Sequence, residues 1–338
     1  MIKKKIIIWE SEEYNYLMSF GFIPNITAYL HEDKQERPAM LVVPGGGYTM
    51  VTPTEGEVVA KKFYGWGYQV FVLTYTTNLL LTVPLKRQPM EDLSRAIRYI
   101  RKRADEFSMD SKKLIVCGFS AGAHLCGSVC VHYKDIHDPN AELQEVSNRP
   151  DAAILSYPVI TTGIHAHTDS FRALLGENVM AMNDVSSELE YMSLEKHVDT
   201  DTPPCFLWHT LEDETVPVEN SELFVSACKE KGVRFALHIF SRGTHGLSTA
   251  DEEWVNTCKE LLLSKSDKDN GSYTMEQLNC IVNAVKTGIL PLPDDKKELV
   301  LSQFQAKPEQ VKQLENVLKP NWEVAGWTQL AKDWIENI

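Results

Sequence analysis

No apolar run in this chain approaches the roughly 18 residues that a membrane-spanning helix needs, which argues against an integral helical membrane protein. Basic residues are scarce, with 34 Lys and Arg against 47 Asp and Glu and a formal net charge of -13. Such a field repels phosphate backbones and anionic surfaces, so nucleic acid and membranes are unfavoured as partners. A secretory leader is not expected from the first residues. Lys3, Lys4 and Lys5 followed by Ile6, Ile7, Ile8 and Trp9 begin like one, but the stretch stops at Glu10. That is short of the roughly 7–15 residues of a signal-peptide core, and the chain reads as cytoplasmic. None of the seven cysteines forms a CxxC pair, which leaves no zinc ribbon. Their odd number and mostly apolar surroundings fit buried thiols in a reducing compartment better than a disulfide framework. No internal repeat is visible.

What is present is a globular balance, 43% hydrophobic and 24% charged over 338 residues. That length fits two domains or one large α/β domain. Short apolar runs at 40–43, 70–75, 114–117, 152–155, 205–208 and 235–240 read as strands. Between them, residues 91–107 carry Leu93, Ile97, Ile100 and Ala104 at helical steps. Residues 221–231 form a second helix that Gly232 can end. Strands apolar on both faces and separated by helices indicate a mainly parallel sheet covered on both sides, an α/β fold. The runs around Ile6 and at 26–30 add antiparallel edge strands. After Ala250 strand signals vanish. Helical patterns then occupy 254–263, 275–285, 299–304, 311–318 and 327–338, with a Ser/Lys/Asp/Gly-rich hinge at 264–272 and a turn-prone Pro291-Leu292-Pro293-Asp294-Asp295.

The chemistry centres on Gly118-Phe119-Ser120-Ala121-Gly122, a G-x-S-x-G motif directly after a strand and before a helix. Small residues around Ser120 permit the strained turn that exposes a serine hydroxyl, and the helix N-terminus favours nearby negative charge. A serine nucleophile needs a base oriented by a third group, in the order Ser, acid, His. Asp213 lies in the loop leaving the strand that ends at Trp208. His245 lies between Gly243-Thr244 and Gly246 after the next strand. All three loops leave carboxyl ends of strands, where open α/β sheets place their sites. The expected triad is Ser120, His245 and Asp213. Gly45-Gly46-Gly47-Tyr48 after an early strand suits an oxyanion loop, with donors expected from Gly46, Gly47 and Ala121. No G-x-G-x-x-G spacing or P-loop lysine supports a phosphate site. Tyr48, Phe119 and Trp208 are candidates to line a pocket, and His209 to hold the acid loop.

These motifs resemble those of the α/β-hydrolase superfamily, and within it the acetyl-xylan-esterase-like carboxylesterases. The likeness runs over roughly 39–250 and includes Val43-Pro44-Gly45-Gly46-Gly47-Tyr48, the Ser120 motif, residues 203–210, residues 213–217 and Gly243-Thr244-His245-Gly246. The resemblance implies an esterase that removes small acyl groups, often acetyl, from sugar-type alcohols without a metal or organic cofactor. Ala123 stands where a second glycine is common, and Pro44 replaces the histidine of the lipase-like HGGG form. A larger departure lies near the C-terminus, where residues 323–335 resemble the last sheet-covering helix. About 70 residues separate it from the His245 region. The chain is therefore expected to divide into a catalytic core at 1–250, a helical insertion at 251–320 and the core's final helix at 321–338. Cap and peripheral appendage stand as equal readings of the insertion.

His165-x-His167 with Asp169 lacks a convincing ligand set, so no metal site is expected. Glu55 and Glu57, like Glu91 and Asp92, read as helix-start acids. The leading function is a serine carboxylesterase acting on small-molecule acyl esters, plausible substrates being acetylated sugars or xylo-oligosaccharides. A serine peptidase or amidase would use the same triad. A non-catalytic ligand-binding member is disfavoured by the complete triad and glycine loop. The natural alcohol, the acyl length and whether the chain forms a homo-oligomer stay open.

Overall fold

A computed structural model describes residues 1–180, 187–263, 275–302 and 318–338. Its frame is one eight-stranded sheet in the order β1-β2-β4-β3-β5-β6-β7-β8. The strands are β1 (Ile2–Ile7), β2 (Asn25–Leu30), β3 (Arg37–Val43), β4 (Gln69–Thr74), β5 (Met109–Phe119), β6 (Ala152–Ser156), β7 (Cys205–Thr210) and β8 (Phe235–Phe240). β1 and β2 are antiparallel, and β4 through β8 run parallel with β3 between β4 and β5. The six apolar runs all become strands, for a simple reason. β4, β6 and β7 are buried along their whole length, as expected of parallel strands covered on both faces. β2 is also fully buried, because β1 and not β2 forms the edge.

Two apolar layers flank the sheet. One gathers Leu41, Val43, Leu93, Ile97, Val116, Leu125, Val129, Leu155 and Leu207. The other gathers Met40, Val42, Phe63, Cys117, Phe119, Ile154, Phe206 and Trp208 with Trp254, Val255, Cys258, Val324, Trp327 and Ala331. The helix Gln88–Lys102 starts earlier than its apolar spacing suggests and breaks at Arg103 before a short turn, Ala104–Phe107. The helix Glu219–Lys231 ends at Gly232, whose φ of 71° is the left-handed cap that glycine adopts without a Cβ penalty. Six cysteines are buried and Cys280 is half-buried, all of them unpaired.

The segment expected to be one insertion is of two kinds. Ala250 and Asn321 touch, with the Asn321 N–H donating to the Ala250 carbonyl at 2.9 Å, so the intervening chain leaves and returns at one place. The helix Glu252–Leu263 nevertheless packs Trp254, Val255 and Cys258 into the second layer beside Trp327. Glu276–Lys286 and Asp294–Ser302 belong instead to a separate small cluster of Leu278, Ile281, Val282, Val285 and Val300 with Leu80. The expected hinge at 264–272, the end of the pattern at 299–304 and all but the last residue of the pattern at 311–318 lie outside the described residues. The final helix runs Trp327–Ile335. Among the described residues no helix is long and apolar enough to cross a membrane.

Asp92 departs from the helix-start reading. It is fully buried and accepts from Trp9 Nε1 (2.9 Å), Thr76 N (2.8 Å), Thr76 Oγ1 (2.6 Å) and Gln88 Nε2 (2.9 Å). It thereby ties the loop after β1 and the loop after β4 to a helix behind the sheet. Burial pushes its carboxyl up to about 6, against the pull of the Thr76 and Gln88 hydrogen bonds. The folded value exceeds the unfolded one, so this group's contribution is full below about pH 4 and is lost as pH rises through 6. Asp92→Ala strands four donors and should destabilise by on the order of 3 kcal/mol. Thermal melting from pH 4 to 8 should also lose the wild-type slope in that window.

Candidate active site

Ser120 occupies the turn between β5 and the helix Ala121–His132, with φ 52° and ψ -119°. For a residue with a Cβ this conformation is costly, about 1–3 kcal/mol, and it projects the hydroxyl away from the sheet edge. The motif glycines make the turn possible by close approach. A Cβ on Gly122 would fall onto the carbonyls of Val43 and Pro44. One on Gly118 would strike the Gly122 carbonyl and the Ala123 backbone. Ala123, the departure from the family pattern, is fully buried in the first core layer.

Three sequence-expected residues meet. His245 Nε2 lies 2.8 Å from Ser120 Oγ, and His245 Nδ1 lies 2.6 Å from Asp213 Oδ2. The other Asp213 oxygen accepts the N–H groups of Thr215 and Val216, each at 2.9 Å. His209 is fully buried, with Nε2 2.9 Å from the Val216 carbonyl and 3.3 Å from Asp213 Oδ2. Its Nδ1 lies 2.8 Å from Ser221 Oγ. It therefore braces the acid loop. Burial alone would raise the Asp213 carboxyl, but hydrogen bonds from His209, His245 and Val216 hold it well below the usual carboxylate range. A depressed acid stays ionised at any neutral working pH, and its stabilising contribution is lost only as pH falls through that low value. An ionised, oriented carboxylate favours the His245 tautomer with its proton on Nδ1, which leaves Nε2 able to accept from the Ser120 hydroxyl.

The glycine loop follows β3. Gly46, Gly47 and Tyr48 have φ of 117°, 61° and 59°. Among the described residues, no protein acceptor takes the N–H of Gly46, Gly47 or Ala121. The Gly45 N–H, in contrast, donates to Glu55 Oε2 at 2.7 Å. This arrangement can polarise a serine hydroxyl and hold an oxyanion, the two requirements of acyl transfer.

Other expectations need correction. Tyr48 and Phe119 do not line an open pocket. Tyr48 is 1% exposed, and its hydroxyl lies 2.7 Å from His124 Nδ1. Phe119 is 0% exposed and packs against Tyr157 and Trp327 in the layer behind the sheet. Trp208 stacks on Trp327 and is equally buried. Proximity in a motif does not say which face of the sheet a ring takes. Glu57 starts the helix Glu57–Gly65 as expected, but Glu55 lies in the preceding turn, buried between Gly45 and Tyr157. His167 bonds Ser170 Oγ (2.8 Å) and Asp169 pairs with Arg172 (2.5 Å). Among the described residues no cluster of three or more His, Cys, Asp or Glu is arranged to hold a metal. Sequence reasoning missed Tyr157, whose ring meets His245 edge-on with centroids 4.9 Å apart. Its place just past the end of β6, at the same edge as Ser120, was the available signal.

A family model described as BD-FAE matches residues 27–228. Endo-1,4-beta-xylanase B of Butyrivibrio fibrisolvens is 52% identical over 270 residues, 80% of this chain and 40% of that protein. Acetylxylan esterase of Xylanibacter ruminicola is 27% identical over 225 residues, 65% of this chain and 43% of that protein. The chain thus spans less than half the length of these curated relatives. Among solved structures, the acetyl ester-xyloside bifunctional hydrolase of Caldicellulosiruptor lactoaceticus superposes with a TM-score of 0.67 at 34% identity. The match covers 85% of this chain and 97% of that one.

The close approach at Gly122 gives a direct test. Gly122→Ala must push the end of β3, and the glycine loop with it, away from Ser120. Melting temperature and turnover should fall together, the stability loss being roughly 1–3 kcal/mol.

Proposed function

The chain belongs to the BD-FAE family of α/β-hydrolase-fold carboxylic ester hydrolases, and from that premise we propose that it is a serine carboxylesterase removing small acyl groups, acetyl foremost, from xylan-derived sugars. The observation that carries the chemistry is the contact of Ser120, His245 and Asp213 beside unclaimed N–H groups. His245 Nε2 takes the Ser120 proton as Oγ attacks the ester carbonyl. The oxyanion is held by the N–H groups of Gly46, Gly47 and Ala121, while Asp213 stabilises the imidazolium. The C–O bond to the sugar breaks as His245 returns its proton to the departing alcohol oxygen. Water, deprotonated by His245, then attacks the acyl-Ser120, and the acid leaves with the serine hydroxyl restored. Nothing in this sequence calls for a metal or organic cofactor. The names of the relatives, an acetylxylan esterase and an acetyl ester-xyloside hydrolase, support the sugar side of the reading.

Ser120→Ala should lower hydrolysis of nitrophenyl acetate and of acetylated xylo-oligosaccharides by at least about three orders of magnitude with melting unchanged. Aminoacyl anilides should be left intact. Retained esterase activity in that variant, or anilide cleavage exceeding ester cleavage in the wild type, would remove the proposal.

For the C-terminal region we propose an add-on to a complete hydrolase, acting as a cap, with residues 321–338 completing the core. The helix Glu252–Leu263 carries buried core side chains, so the separable part begins after it. That helix has 12 residues, about 18 Å of rise, and a flexible linker of about ten residues spans the gap back to Asn321. Replacing 264–320 by such a linker should leave a folded protein that hydrolyses nitrophenyl acetate and shows altered preference among bulkier esters. Removing 251–320 should cost several kcal/mol more through loss of Trp254, Val255 and Cys258.

A further inference from the structure

Glu55 is a carboxylate sealed in the protein, 3% exposed, beneath the site. Its oxygens accept from two different places. Oε2 takes the Gly45 N–H at 2.7 Å, and Oε1 takes the Tyr157 hydroxyl at 2.6 Å. The Tyr157 oxygen in turn accepts the Ser248 N–H at 3.1 Å, and Ser248 lies three residues beyond His245. The Ser248 carbonyl is held from the other side by Trp327 Nε1 at 2.8 Å. Gly45 is equally constrained, since a Cβ there would lie 2.6 Å from the Phe119 carbonyl and 2.9 Å from Ser120 Cβ. A single side chain therefore joins the start of the glycine loop, packed against the nucleophile turn, to the loop that carries the base. Building on the triad reading above, we propose that Glu55, acting through Gly45 on one side and Tyr157 on the other, is a positioning residue that sets the oxyanion loop and His245 at working distance from Ser120.

The donor inventory explains why a carboxylate stands here. The Gly45 N–H needs an acceptor. The Tyr157 hydroxyl already accepts from Ser248, so its own proton needs one too. The two donors reach different oxygens from different sides, and only Asp or Glu offers two acceptor oxygens without a competing donor. Glutamine has the same shape but turns an NH2 toward one of them. Burial pushes the Glu55 carboxyl up, and the Tyr157 and Gly45 hydrogen bonds pull it back, as does the charge of His245. The Tyr157 ring adds a mechanical link, because it packs edge-on against both His245 and Trp208 with centroids 4.9 Å apart in each case. A shift of Tyr157 therefore moves the base and not merely the core.

The experiment compares Glu55→Gln, Tyr157→Phe and their double variant with wild type and Ser120→Ala. It measures melting temperature, kcat and KM on nitrophenyl acetate, and the rate at which a fluorophosphonate labels Ser120. Each single variant should lose about 10- to 100-fold in kcat and a similar factor in labelling rate, with KM within about threefold. The double variant should be no worse than Glu55→Gln alone, since both cut the same chain of contacts. Tyr157→Phe keeps the ring and removes one oxygen, and it decides the matter alone if Glu55→Gln is not recovered folded. Folded single variants with kcat and labelling within threefold of wild type would overturn the inference. So would losses that multiply in the double variant, or losses confined to KM. Ser120→Ala separates the two levels. An active Ser120→Ala sinks the esterase reading itself, whereas an inactive one beside active Glu55 and Tyr157 variants sinks only the positioning role.

Discussion

The backbone of Ser120 is the constraint on which the rest of the site depends. A residue with a Cβ held at φ 52° and ψ -119° does not stay there unaided. It persists because β5 and the helix behind it are clamped. The Ser120 N–H donates to the Ser156 carbonyl, and its own carbonyl accepts from His124 and Val159. The bare backbone of Gly122 fits under the end of β3. The same closeness that forces glycine at position 122 brings the loop after β3 alongside the hydroxyl. Strain, the glycine spacing and the location of the unclaimed N–H groups of Gly46 and Gly47 are thus one geometric fact seen from three sides.

Around that turn, buried acids do the joining. Asp213 fastens His245 to the loop after β7, with His209 bracing it from below. Glu55 fastens the glycine loop to Tyr157, and Asp92 fastens the loops after β1 and β4 to the helix behind them. Each accepts from donors on segments distant in the chain. This is how loops, which have little packing of their own, are held on a rigid sheet. Burying a carboxylate is unfavourable unless its oxygens are saturated, and here they are met by backbone N–H groups together with the Trp9, Thr76, Gln88, Tyr157 and His245 side chains.

The features legible in the sequence were those with local mechanics. Apolar runs become strands because both sheet faces are covered. The turn at Ser120 is legible because the glycines of its motif answer a local steric demand. Asp213 and His245 were picked out by the order Ser, acid, His together with their loops at the carboxyl ends of strands, and those loops bring both side chains beside Ser120. Glu55 and Asp92 were misread because a local rule, acids at helix starts, fits their sequence positions while their partners lie far away in sequence. Asp92 reaches Trp9, and Glu55 reaches Tyr157 across 102 positions. Phe119 was misplaced because one residue along a strand reverses the face, and sequence adjacency to the nucleophile carries no information about that reversal. The helix Glu252–Leu263 was assigned to the insertion for a related reason. Trp254, Val255 and Cys258 look like any amphipathic stripe, and only the layer containing Trp327 identifies what the stripe faces.

The C-terminal helices connect to this site by a short route. Gln277, 2% exposed, accepts the N–H and the hydroxyl of Thr77 at 2.6 and 2.9 Å and donates to the Thr77 carbonyl at 2.7 Å. It thus satisfies all the polar groups of one residue just past β4. The next residue, Asn78, donates its N–H to the Tyr48 carbonyl at 2.8 Å, immediately after the three glycines. The helix Glu276–Lys286 also reaches the start of the sheet, where Glu276 accepts from Asn25 and pairs with Lys5. A helix docked at the carboxyl edge through buried polar contacts touches the segment that supports the glycine loop. It also packs its own apolar face on Leu80 outside the main layers. Its anchorage is polar and directed at the site edge, while its apolar cluster stands apart from the core. That combination sets the polar contacts of Gln277 beside the segment that supports the glycine loop and leaves the apolar face of the helix in a cluster of its own.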